Sequence, residues 1–170
     1  MSTSSPAILG IDPGARQIGV SVLYGEELLF YAVKTFRRKK VEDSLDALRK
    51  TIKKLIVGYN IDYVAAEKIV FLQQHRSFVK IAADEIRNFI KSENIGFFEY
   101  NPKQIRQIIC GLEKPTKRNT ALILSQRYSE LVRYFDVPRL WQKRYYALLF
   151  GAIAVGLVCA QERAETKKFS

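Results

Sequence analysis

The chain has 170 residues, 48% hydrophobic and 26% charged, and its 28 Lys and Arg against 17 Asp and Glu leave a formal net charge of +11. That length holds one domain with a hydrophobic core, and the composition suits a soluble globular protein. The positive excess says nothing of fold but favours polyanionic partners, either nucleic acid or an acidic membrane surface.

Residues 1–6 read as a polar lead-in, with neither the basic nor the apolar region of a signal peptide. An apolar run over 7–12 reads as a buried strand, followed by strands over 17–24 and 27–33 that pair as a hairpin through a turn at Gly25. After the basic knot at 37–40, Val41, Leu45, Leu48, Ile52, Leu55 and Ile56 recur at helical spacing, with Gly58 as the expected stop. A short strand over 61–66 runs into Glu67. A helix is expected over 77–92 and a strand over 95–100. Asn101-Pro102 then opens a helix with Pro at its first position. A loop over 111–116 leads to a helix over 117–135, and Pro138 precedes a long apolar last helix.

Within that last helix, "YYALLFGAIAVGLVCA" over 145–160 carries no charge across sixteen residues. A membrane span needs about 20, and Lys143, Arg144, Glu162 and Arg163 flank this run closely. It reads as a buried helix in a cytoplasmic protein, with a membrane-associated protein as the alternative. Cys110 and Cys159 stand far apart among apolar neighbours and read as buried, reduced thiols. No Cys/His cluster has zinc spacing.

Hairpins followed by strand–helix alternation imply an α/β fold: a mixed sheet of about five strands with helices on both faces. The first and fourth strands can then be parallel neighbours, which would set Asp12 and Glu67 side by side at their C-terminal ends, where open α/β sheets place their sites. Two such carboxylates make a hard oxygen site for Mg²⁺ or Mn²⁺, and a pair of such ions can drive phosphodiester hydrolysis. Read alone, Asp12-Pro13-Gly14 is equally a simple turn, since all three are turn residues.

Whole segments point more narrowly. "ILGIDPGARQIGVSVL", "IDYVAAEKIVF" and "FFEYNPKQIRQIICGLEKPTKRNTALIL" resemble, in order and spacing, the RuvC family of Holliday junction resolvases in the RNase H-like superfamily. The resemblance covers most of residues 7–160. It implies one RNase H-like domain over 7–163 with a tail over 164–170. Asp12 and Glu67 would be metal-binding catalytic carboxylates for Mg²⁺ or Mn²⁺, and Lys117 a catalytic lysine beside them. Arg106 would contact DNA, joined by Lys103 and by Lys114 and Arg118 of the basic loop. In "KIVFLQQHRSF", Phe71 would be a wedge between bases, with His75 and Arg76 as further DNA contacts. The expected partners are branched DNA and a second copy of the chain, without membrane; a branch-migration helicase stays open.

The chain departs from the family on the last helix. Two acidic residues, or a His and an Asp, three apart are expected where "LLFGAIAVGL" places Leu148 and Gly151, and no Asp or Glu occurs between Asp136 and Glu162. Three readings follow: a weakened Mg²⁺-dependent junction endonuclease, a catalytically inactive homologue that binds branched nucleic acid, or an RNase H-like nuclease acting on structured RNA.

Overall fold

The computed structural model describes residues 5–14, 16–36, 39–69 and 78–168. Phe71, His75 and Arg76 lie outside the described residues. Five strands form one mixed sheet in the order β3-β2-β1-β4-β5. β1 (Ala7–Pro13) pairs antiparallel with β2 (Gln17–Tyr24), which pairs antiparallel with β3 (Glu27–Thr35). On the other side, β1 runs parallel to β4 (Tyr63–Glu67), and β4 parallel to β5 (Gly96–Tyr100).

Strand alternation divides the core between the two faces. Leu9, Ile11, Val20, Val22 and Val64 face α1 (Val41–Tyr59) and α2 (Phe78–Ser92), meeting Leu48, Ile52, Ile86 and Ile90. Ile8, Leu23, Ala65 and Tyr100 face α3 (Pro102–Cys110), α4 (Lys117–Arg127) and α6 (Leu140–Lys168). The mixed sheet with helices on both faces is therefore as expected.

The apolar run over 145–160 forms the middle of α6, which by length and composition alone could cross a membrane. Leu149, Phe150, Ala152–Val155 and Leu157–Ala160 of that run are buried against the sheet. The small residues on both sides explain the close fit. A Cβ added at Gly19 would run into the carbonyl group of Leu148, and one at Gly10 into the carbonyl oxygen of Ala152. Between these contacts the buried Ser21 hydroxyl donates to the Ala152 carbonyl at 2.8 Å. Cys110 and Cys159 are buried free thiols, as read from their neighbours.

Several element bounds shift by one or two residues from the sequence expectation, and two helix ends differ for a physical reason. Gly58 lies inside α1; the helix ends instead at Asn60, whose left-handed φ of 50° lets its N–H reach the carbonyls of Ile56 and Val57. The expected helix over 117–135 breaks at Tyr128, which is extended and whose hydroxyl donates to the Glu26 carbonyl at 2.6 Å. A 3₁₀ turn (Ser129–Leu131) and the four-residue α5 (Val132–Phe135) follow. A tertiary hydrogen bond thus overrides local propensity. The helix α6 runs through Lys168.

Asn101 caps α3, its side chain accepting from the Lys103 N–H at 2.9 Å with Pro102 at the first position. Asn101→Ala is expected to cost about 1 kcal/mol, read as a fall of about 2–4 °C in Tm for a chain of this size. An unchanged Tm would show the cap is energetically idle.

Candidate active site

β1 and β4 are in register with Gly10 opposite Ala65 and Ile11 opposite Ala66. One residue further, Asp12 and Glu67 stand level on adjacent parallel strands, about 4.8 Å apart in the sheet. The alternation puts both on the face covered by α6, since Ile8 and Ala65 also point there. Burial pushes the Asp12 carboxyl well above the ordinary carboxylate value, and the neighbouring charge of Glu67 adds to this while Lys117 opposes it. The Glu67 carboxyl is raised for the same first reason, against the pull of Lys117 and Arg106. The Asp-Pro-Gly stretch is a turn as well: the Gly14 N–H donates to the Gln17 carbonyl at 2.8 Å. The turn and the carboxylate are compatible, because Asp12 is still within the strand.

The pair of carboxylates suits a hard divalent cation, which would remove the repulsion between them. The donors fit one such ion, its remaining positions left to water and phosphate oxygens. They do not fit two. Among the described residues no three His, Cys, Asp or Glu side chains come together as a metal-binding group. On α6, Leu148 packs its methyls against the turn, 2.9 Å from where a Cβ at Gly14 would lie. At Gly151 the space of a side chain is already taken: a Cβ there would meet the carboxylate of Asp12. Asp12 thus leans into the room that the glycine leaves.

Around this pair lies a cavity of about 750 Å³, whose wall is strongly cationic. Arg106 of α3, Lys117 and Arg118 of α4, Lys68 after β4, and Lys143 and Arg144 of α6 line it together with Asp12 and Glu67. Lys117 opens α4, where Thr116 caps the helix by accepting from the Asn119 N–H at 3.1 Å. The Asn119 side chain donates to the Lys114 carbonyl at 2.9 Å, which ties the basic loop to the helix. The helix N-terminus adds partial positive charge at the cavity. Arg118 sits over the Phe135 ring at 5.1 Å.

Of the residues singled out in the sequence, Asp12, Glu67, Arg106, Lys117 and Arg118 share this cavity. Lys103 and Lys114 are exposed beside it, on the first turn of α3 and in the loop before α4, and do not line it. Lys68, Lys143 and Arg144 were not singled out as site residues, although they line it. The signal for Arg144 was present: it precedes Leu148 by four residues and Gly151 by seven, so the three share one helical face.

The raised carboxyls give a pH prediction for the metal-free protein. A carboxyl whose folded pKa exceeds its unfolded one binds more protons in the native state, so stability falls as pH rises from the ordinary carboxylate value, about 4, through the raised one. In EDTA the Tm of Asp12→Asn should therefore gain on wild type as pH rises through this window, and Mg²⁺ should remove that gain by stabilising wild type alone. A difference in Tm independent of pH would contradict the reading.

A family profile described as Crossover junction endodeoxyribonuclease RuvC matches residues 8–129. The match ends before α6, the element that lacks the acidic pair. Crossover junction endodeoxyribonuclease RuvC of Sulfurovum sp. (strain NBC37-1) is 30% identical over 125 residues, 70% of this chain and 79% of that relative. T. thermophilus RuvC in complex with Holliday junction substrate superimposes with a TM-score of 0.71 at 18% identity, over 95% of this chain and 97% of that one. The yeast mitochondrial Holliday junction resolvase Ydc2 gives a TM-score of 0.62 at 11% identity, over 98% and 85% of the two chains. These superpositions match the whole fold, α6 included.

Proposed function

The chain belongs to the RuvC family of crossover junction endodeoxyribonucleases, and from that premise we propose that it binds branched DNA, four-way junctions above all, and hydrolyses a phosphodiester there in a divalent-metal-dependent reaction slower than that of a site with four acids. The observation that carries this reading is the meeting of two carboxylates and six basic side chains in one cavity at the sheet edge. Asp12 and Glu67 would hold Mg²⁺ or Mn²⁺. When bound, such an ion lowers the pKa of a coordinated water and polarises the phosphate. Lys117 places positive charge against the phosphate as negative charge builds on it. Arg106 and Arg118 hold the backbone from the cavity wall, and Lys103 and Lys114 extend the cationic surface outward. Such contacts set affinity and its salt dependence.

In the hydrolysis, water adds to phosphorus and the bond from phosphorus to one sugar oxygen breaks. That oxygen takes up a proton, and the phosphate left on the other end releases one to solvent. Phe71 would unstack bases at the crossover, at a cost of about a few kcal/mol offset by contacts to the deformed DNA, and His75 and Arg76 would be further DNA contacts. A homodimer matches the two symmetric strands to be cut. A single domain over 7–163 would carry the activity in the cytoplasm, and a branch-migration helicase is a fitting partner. The absence of acids at Leu148 and Gly151 favours one second reading, a homologue that binds branched nucleic acid without cutting it.

The test is a gel shift of a four-way junction against linear duplex of equal length and salt, with cleavage followed in Mg²⁺ and in Mn²⁺. Junction affinity at least about tenfold above duplex, a difference of about 1.4 kcal/mol, is the expected result. Equal affinity would remove the branched-DNA reading, and tighter binding of structured RNA would redirect it. Tight junction binding without nicking in either metal would establish the binding-only reading.

A further inference from the structure

We propose that Arg144 is a catalytic residue of this chain, supplying to the scissile phosphodiester the positive charge that a second metal ion would otherwise supply, so that each chain works with one divalent cation. The proposal rests on the reading of the cavity as a phosphodiesterase site and concerns how that site is completed. It starts from a mismatch of donors: Asp12 and Glu67 fit one ion, while on α6 an apolar Leu148 and a side-chain-free Gly151 face them. The space beside Gly151 is filled by Asp12 itself, which leaves no room for further oxygen ligands there.

The same helix carries a cation instead. Arg144 lies one turn before Leu148 and two turns before Gly151 on the face that lines the cavity. Along the helix axis it stands about 10 Å from Gly151, a span that a phosphodiester and an extended arginine side chain cover together. Arg144 is exposed, and among the described residues it has no ion pair with a carboxylate, whereas Arg49, Arg87 and Arg127 each have one. A guanidinium is always charged, and its planar fork matches two phosphate oxygens at once. Placed on the phosphate, it neutralises charge that accumulates as the sugar oxygen leaves, and it needs no ligands from the protein to stay there. Lys117, at the start of α4, lines the same cavity and would add a second positive charge to the phosphate.

The experiment combines metal counting with chemistry. Mn²⁺ titration of the full chain, followed by calorimetry and electron paramagnetic resonance, should give one ion per chain and an uncoupled six-line spectrum, both without and with a bound four-way junction. Arg144→Gln should keep that single Mn²⁺ and, as the loss of one of six basic side chains, weaken junction binding by no more than about tenfold, so that cleavage is read with junction and chain at saturating concentration. Its single-turnover cleavage should fall about a hundredfold, Arg144→Lys should recover part of the rate, and added guanidinium should restore cleavage by Arg144→Ala. A purely structural role would not respond to guanidinium. Two exchange-coupled Mn²⁺ ions per chain would overturn the proposal, as would unchanged cleavage by Arg144→Gln or a wild-type chain that binds junction and metal without cutting. Failure of the wild-type chain to bind either junction or Mn²⁺ would bring down the underlying reading of the site as well.

Discussion

Asp12→Asn is expected to lower junction cleavage about a thousandfold or more while leaving junction affinity within a few-fold of wild type. The substitution keeps shape and removes charge at a residue level with Glu67 across β1 and β4, opposed by Lys117, and seated in the gap at Gly151. A bound ion contributes several kcal/mol of charge stabilisation, and about 4 kcal/mol corresponds to a thousandfold in rate. On the proposed reading the ion would be held by only two carboxylates, whose ionised forms are disfavoured by burial. Taking one of them away should therefore be more damaging than in a site with spare ligands. On the proposed reading DNA affinity would come mainly from the basic wall, which the substitution leaves intact, and losing a negative charge there should if anything tighten binding. Single-turnover cleavage and gel shift on the same preparations separate the two effects. Equal cleavage by wild type and Asp12→Asn would mean that the carboxylate takes no part in the reaction.

The largest effect on folding is expected from Gly19→Ala. A Cβ at Gly19 would run into the carbonyl carbon and oxygen of Leu148, which are backbone atoms of the central helix and cannot swing aside. The clash can be relieved only by lifting α6 off β2, which would also strain the bond from Ser21 to the Ala152 carbonyl and the fit at Gly10. Overpacking of a tight core costs about 1–3 kcal/mol and at times more, and a rigid backbone collision belongs at the upper end. At about 2–4 °C per kcal/mol for this size, Tm should fall by about 6–12 °C, measured by thermal unfolding in EDTA. Gly58→Ala is the control: nothing lies within 4 Å of its would-be Cβ, in the middle of the last turns of α1. It should be neutral or slightly stabilising, since Ala is the better helix former. A Gly19→Ala protein as stable as wild type would show that α6 does not sit as close to the sheet as described.

Much of this was legible in the chain because it rests on local patterns. Alternation and helical spacing located every strand and the amphipathic helices α1 and α2, and the parallel pairing of β1 with β4 follows from the order of elements. The convergence of Asp12 and Glu67 could therefore be anticipated, along with the absence of acids at Leu148 and Gly151. What could not be read was anything set by contact across the fold. The break at Tyr128 goes with its bond to the Glu26 carbonyl, 102 residues away and invisible to local propensity. The stop of α1 depends on Asn60 taking a left-handed turn in place of Gly58, a choice between two permitted residues. The use of the Gly151 gap by the Asp12 carboxylate is a matter of how closely a helix rides on a sheet. Arg144 stands out in the sequence only as one of the basic cluster 139–144 flanking the apolar run, although its helical phase with Leu148 is fixed by the numbering.

The central claim is that Asp12 and Glu67 together hold a divalent cation beside bound junction DNA, and iron can report on it directly. With Fe²⁺ in place of Mg²⁺ and peroxide and ascorbate added, hydroxyl radicals cut whatever lies near the ion. The account predicts polypeptide cleavage at the ends of β1 and β4, next to residues 12 and 67, together with DNA strand scission near the crossover, all lost in Asp12→Asn and competed away by Mg²⁺. Polypeptide cleavage elsewhere, or cuts at only one of the two strand ends, would contradict it.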